Sequence, residues 1–201
     1  ASMSAALVQL QGGREVDSAL VQNEIVEGTV AFIDICGFTS FSENETPDRV
    51  VSLLNQYFDL MVKEIMAQDG MVDKFIGDCI MAVFKGDFHL DRAIDACLSI
   101  RNKIAELPLE NSYGPQVAIG VNSGEMISGN VGSVTLKRLD YTVIGDTVNT
   151  AQRLQSAASG SQIVITERCF QQVKQSFSCI KLGPVVLKNK AGETMLYEVV
   201  N

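Results

Sequence analysis

"MVDKFIGDCIMAVF" (Met71–Phe84) is the stretch on which the fold turns. Two apolar runs meet at Gly77-Asp78, a pair that closes tight hairpins between strands. Upstream, "DRVVSLLNQYFDLMVKEIMAQDG" (48–70) carries Val50, Leu53, Leu54, Tyr57, Met61 and Ile65 at helical spacing, with Pro47 at its start and Gly70 at its stop. Downstream, "HLDRAIDACLSIRNKIAEL" (89–107) has the same period and is closed by Pro108. Outside these helices lie "EGTVAFIDI" (27–35), a β-branched run ending near Asp34, and "QVAIGVNSGEMISGNVG" (116–132), a strand running into a glycine-rich segment. The order is therefore a ferredoxin-like β-α-β-β-α-β core. To it are added an extended piece (136–145), a helix over 146–158 with Asp146 as its capping residue, and then strand, short helix and two terminal strands. Strands alternate with helices and also pair as hairpins, so the expected class is α+β with a mixed β-sheet.

The bulk numbers narrow the chemistry. At 201 residues, 46% of them hydrophobic, the chain fits one globular domain over 23–201, preceded by a small, polar, patternless linker over 1–22. With 16 basic and 24 acidic side chains the net charge is −8, which predicts no nucleic-acid or anionic-lipid partner. An anionic substrate must be held by a few local cations, backbone N–H groups or metal ions. Five cysteines, odd in number and without C-x-x-C spacing, read as free thiols of a reducing compartment, and a cytoplasmic location is expected. No apolar run approaches the roughly 20 residues of a membrane span, so no membrane contact by this domain is expected. His89 is the sole histidine, which removes Ser-His and Cys-His catalysis and His-rich zinc sites.

Several residues have two readings each. Asp34 at a strand end is either a cap or a ligand for a hard cation, with the following Gly37-Phe38-Thr39 loop free to meet phosphate oxygens. Asp78 is either a turn former or the second carboxylate that a two-metal phosphoryl-transfer site needs. Lys74 alternates with Val72 and Ile76 and so projects from an apolar face, either snorkelling to water or meeting a partner. Asn149 and Arg153, four apart, share a helix face that alone reads as solvated. The glycines of "GVNSGEMISGNVG" (120–132) form neither a P-loop nor a dinucleotide fingerprint.

Taken together, "FIDICGFTSFSE" (32–43), "DKFIGDCIMAVF" (73–84), "GVNSGEMISGNVG" (120–132) and "DYTVIGDTVNTAQRL" (140–154) resemble, in order and spacing, the class III nucleotidyl cyclase catalytic domain, from about Glu27 to Val200. The likeness is nearest to the cyanobacterial type of adenylyl cyclase, similar to the mammalian soluble, bicarbonate-stimulated enzyme. It implies a homodimer with active sites at the interface, ATP as substrate, and two Mg²⁺ ions, or Mn²⁺, with Ca²⁺ as an alternative at one site.

The resemblance also implies roles. Asp34 and Asp78, with the Ile35 carbonyl, match the metal ligands; the backbone of Cys36, Gly37, Phe38 and Thr39 matches the phosphate loop. Lys74 matches the purine-selecting lysine, where guanylyl cyclases place glutamate, and Thr142 the second purine-selecting position, where threonine typifies the bicarbonate-stimulated group. Asn149 matches the ribose-orienting asparagine and Arg153 the transition-state arginine. Lys137, or its neighbour Arg138, and Lys188 or Lys190 in "LKNKAGE" (187–193) match phosphate-contacting positions. A guanylyl cyclase and a degenerate, binding-only cyclase-like module are the competing readings. Lys74 argues against the first, and the full complement of competent residues against the second.

Overall fold

The computed structural model describes residues 23–133, 135, 138–188 and 192–201. The expected linker over 1–22 lies outside the described residues, as do Lys137 and Lys190.

The strands are β1 (Glu24–Cys36), β2 (Met71–Ile76), β3 (Cys79–Lys85), β4 (Gln116–Ser133), β5 (Arg138–Ile144), β6 (Ile163–Thr166), β7 (Cys179–Val185) and β8 (Thr194–Val199). The helices are α1 (Phe38–Ser42), α2 (Pro47–Ala67), α3 (His89–Ala105), α4 (Asp146–Ala157) and α5 (Glu167–Val173). One sheet runs in the order β2-β3-β1-β4-β6-β8-β7, with β5 branching from β4. β1 pairs antiparallel with β3 and β4, whereas β4 and β6 are parallel, so the sheet is mixed as the sequence predicts. The glycine-rich segment remains strand: Gly28 sits opposite Gly124, and the far half of β4 carries β5.

Alternation along β1 divides the interior. Ala31, Ile33 and Ile35 join Ile80, Ala82, Phe84, Ile119 and Val121 on the face covered by α2 and α3 through Tyr57, Met61, Ile65, Ile94, Ile100 and Ile104. Val30 and Phe32 face the other way with Cys79, Met81 and Val83, covered in part by Val148 and Ala151 of α4. Each fully buried aliphatic chain contributes about 1.5–3 kcal/mol, which puts most of the stabilisation on the α2/α3 side.

Two local features fix the parts that matter below. The Arg92 guanidinium donates to the Gln68 carbonyl at 2.7 Å and to the Asp87 carbonyl at 3.0 Å, tying the end of α2 to the start of α3. At Gly120 a Cβ would lie 2.1 Å from the Gln155 backbone nitrogen and 2.3 Å from the Ala151 carbonyl, so α4 rests directly on the backbone of β4. Asp146 is not the cap: Gly145, at φ 134°, takes that place, and Asp146 enters the first turn, where its charge still favours the helix N-terminus.

Candidate active site

The two expected metal carboxylates are brought together by strand pairing. Asp34 lies opposite Cys79 in the β1/β3 ladder, and the Ile35 amide donates to the Asp78 carbonyl at 3.3 Å. Gly77, at φ 60°, makes the two-residue turn that presents Asp78. Thr39 Oγ1 donates to Asp78 Oδ2 at 3.3 Å. Burial, reinforced by the neighbouring Asp78 charge, pushes the Asp34 carboxyl up to about 6. Burial also raises the Cys36 and Cys79 thiols, with Asp34 as the second cause, so neither is primed as a nucleophile.

Two close carboxylates with no cation between them repel, and a hard divalent ion relieves that repulsion. Among the described residues no three His, Cys, Asp or Glu side chains gather to hold an ion. The expected donor set is two carboxylates and the backbone oxygen of Ile35, whose side chain is fully buried. All are oxygen donors, which fits magnesium and leaves positions for substrate and water.

The repulsion has a stability signature. The folded state holds the Asp34 proton up to about 6, whereas the unfolded chain releases it near 3.8. Stability is unaffected below the lower value, falls as pH rises between the two, and carries the full penalty above the higher one. In EDTA, Asp34→Asn should therefore melt above the parent protein at pH 7, with the gap closing toward pH 4. Added Mg²⁺ or Mn²⁺ should narrow the gap at pH 7 by stabilising the parent alone. A gap independent of pH would rule out this electrostatic account.

The loop after β1 is anchored from beneath. Tyr113 donates its hydroxyl to the Cys36 carbonyl at 2.8 Å, and the buried Phe38 packs against Phe41, Tyr57 and Tyr113, with centroids 6.0, 6.1 and 6.5 Å away. Gly37 takes a left-handed φ of 70° to begin α1, and Thr39 is exposed beside the carboxylates.

Lys74 does not share a face with Val72. The β2/β3 register shifts between them: Val72 pairs with Ala82 on the α2/α3 side, but Lys74 pairs with Met81 on the opposite side. Asp73 is the extra residue, a β-bulge that re-aims the strand. Its carboxylate, 1% exposed, accepts from Thr142 Oγ1 at 2.8 Å and lies 3.3 Å from Lys74 Nζ, whose side chain is 41% exposed. Asp73 Oδ1 is buried and has no partner among the described residues. An unsatisfied buried acceptor costs about 1–3 kcal/mol.

On α4, Asn149 and Arg153 line a cleft of about 340 Å³ with Gln152, Ser156 and Lys188. Lys188 of "LKNKAGE" lines this cleft, and Lys190 lies outside the described residues. Neither Asp34 nor Asp78 lines this cleft. Sequence reasoning missed Asp73, Gln152 and Ser156. Asp73 stands beside Lys74 in the chain, but nothing in the pattern marks a bulge. His89 lies apart: its Nδ1 is 2.8 Å from Thr29 Oγ1 on the α3 side of the sheet.

Residues 20–201 match the family described as "Adenylate and Guanylate cyclase catalytic domain". The chain belongs to the class III nucleotidyl cyclases. Relatives of this cyclase domain include an adenylate cyclase from Anabaena cylindrica, 35% identical over 85% of the chain and 36% of that protein. Adenylate cyclase 1 from Rhizobium meliloti is 30% identical over 87% of the chain and 27% of that protein. The cyclase domain spans about a quarter to a third of the length of the curated relatives it matches.

The adenylyl cyclase CyaB from P. aeruginosa superposes with a TM-score of 0.80 at 30% identity, covering 90% of this chain and 96% of that one. The guanylate cyclase domain of RhGC from Catenaria anguillulae, in complex with GTP, superposes with 0.81 at 26% identity, covering 89% and 98%. An adenylyl and a guanylate cyclase fit the same backbone equally well, so the fold does not choose the base. No helix among the described residues is long and apolar enough to cross a membrane.

Proposed function

We propose that the domain converts ATP to 3′,5′-cyclic AMP and pyrophosphate as a homodimer with divalent metal ions, as part of a larger signalling protein. One observation carries this reading: a single chain holds a carboxylate pair at the β1 end and the β2–β3 turn, and a separate cleft lined by Asn149, Arg153 and Lys188. Each protomer then has two half-sites, and a two-fold partner supplies the missing half to each.

Asp34, the Ile35 carbonyl and Asp78 would hold the ions. What these supply when bound is Lewis acidity, lowering the pKa of the ribose 3′-hydroxyl and neutralising triphosphate charge. The 3′-hydroxyl releases its proton to water and its oxygen forms a bond to the α-phosphorus as the bond from that phosphorus to the bridging β-phosphate oxygen breaks, and pyrophosphate leaves. Asn149 orients the ribose so that this approach is in line. Arg153 meets the negative charge that builds on the α-phosphate, and the backbone of Cys36–Thr39 with Lys188 receives the terminal phosphates. Lys137, or Arg138, is proposed for the same phosphates.

Lys74 and Thr142 read the purine, and the ammonium at Lys74 in place of an acidic residue favours adenine. The purified domain should turn over ATP with kcat/KM at least about 100-fold above that for GTP, and Lys74→Ala should erase most of that ratio. Equal use of the two nucleotides by the parent protein would contradict the adenylyl assignment. Bicarbonate at constant pH belongs in the same assay: a rise in rate is expected from Thr142, and a flat response removes bicarbonate as an activator.

A further inference from the structure

We infer that Asp73 sets base specificity by fixing the direction of the Thr142 hydroxyl hydrogen bond, making it a positioning residue for adenine. The inference rests on the purine-reading roles of Lys74 and Thr142 proposed above. Three observations support it. Asp73 is the unpaired residue between Val72 and Lys74, so the bulge in β2 sets Asp73 and Lys74 side by side with Asp73 reaching Thr142 of β5. Its buried carboxylate accepts the Thr142 hydroxyl at 2.8 Å and is 3.3 Å from the Lys74 ammonium, binding both reading groups to one anchor. Its Oδ1 stays buried without a partner among the described residues, so the carboxylate has acceptor capacity that the scaffold does not use.

The consequence follows from hydrogen-bond inventory. A threonine hydroxyl has one proton and two lone pairs. With the proton directed at a carboxylate, which only accepts, Thr142 offers lone pairs alone to the base. Lys74 offers only protons. The pair thus presents one acceptor and one donor, complementary to the 6-amino group and the bare N1 of adenine. Guanine presents the reverse, a 6-carbonyl and an N1–H, so at this register two acceptors and two donors oppose each other. Without Asp73 the hydroxyl rotates and can donate to the guanine carbonyl.

The test compares kcat and KM for ATP and GTP in Asp73→Asn, Asp73→Ala, Thr142→Val and the Asp73→Asn/Thr142→Val double variant, each checked for folding by its melting transition. Asparagine keeps the volume but lets the hydroxyl either donate to Oδ1 or accept from Nδ2, so Asp73→Asn loosens the lock without emptying the site. The ATP:GTP ratio of kcat/KM should fall several-fold in Asp73→Asn and at least about tenfold in Asp73→Ala, mainly through a higher KM for ATP. In the Thr142→Val background the asparagine should change the ratio no further. An equal loss for both nucleotides in Asp73→Asn would make Asp73 a scaffold residue and overturn the inference. A ratio lowered by Thr142→Val but unmoved by Asp73→Asn overturns this inference alone. A ratio unmoved by Thr142→Val removes the purine reading and this inference with it.

Discussion

Replacing Asp34 or Asp78 by alanine should reduce metal-dependent cyclic AMP formation by roughly 10³-fold or more while the domain stays folded. The size follows from what the carboxylates are asked to hold: metal-ion stabilisation of the charge in phosphoryl transfer is worth several kcal/mol, and each 1.36 kcal/mol is about a factor of ten. The intact fold follows from position. Neither side chain belongs to the apolar clusters, Asp78 takes a side-chain bond from the exposed Thr39 alone among the described residues, and removing Asp34 relieves a repulsion. A product assay with Mn²⁺, paired with a melting curve, reads both parts. Activity retained in both variants would sink the carboxylate assignment.

The second large effect is recovery of activity from two dead proteins. Asp34→Ala disables the carboxylate half of a site and Arg153→Ala the α4 half, so each homodimer should be inactive. A mixed dimer, co-expressed with two affinity tags and purified through both, has one site bearing both substitutions and one bearing neither. It should show about half the specific activity of the parent dimer, one working site of two. Mixed dimers as inactive as either parent variant would show that Asp34 and Arg153 serve the same site from one protomer.

Much of the scaffold was legible because its punctuation is strong. Pro47 and Gly70 bracket α2, Gly77-Asp78 turns β2 into β3, and continuous apolar runs fill the interior strands, which are buried on both faces. The carboxylate pair was legible as candidates, since a strand end and a hairpin turn are where such groups can face solvent. Their partnership required the four motifs together. The orientation of Lys74 was misjudged for a definite reason: one extra residue in β2 reverses which face every earlier position occupies, and a bulge leaves no compositional mark. Asp73 was invisible for the same reason. Lys188 could not be separated from Lys190 by spacing alone, because "LKNKAGE" has no periodicity to fix a register. The cap at α4 went to Gly145 because its backbone needs a positive φ, which Asp146 in the first turn does not supply.

The missing side chain at Gly120 bears on how the enzyme can move. With the Ala151 and Gln155 backbone seated against β4 and no room for even a methyl group, α4 cannot roll or slide without lifting off the strand. The helix bearing Asn149 and Arg153 is in effect bolted to the central strand, which in turn is laddered to β1 and its Asp34. Any motion that carries Asn149 and Arg153 must therefore carry β4 and β1 with it, so α4 and the strand end at Asp34 travel as one block.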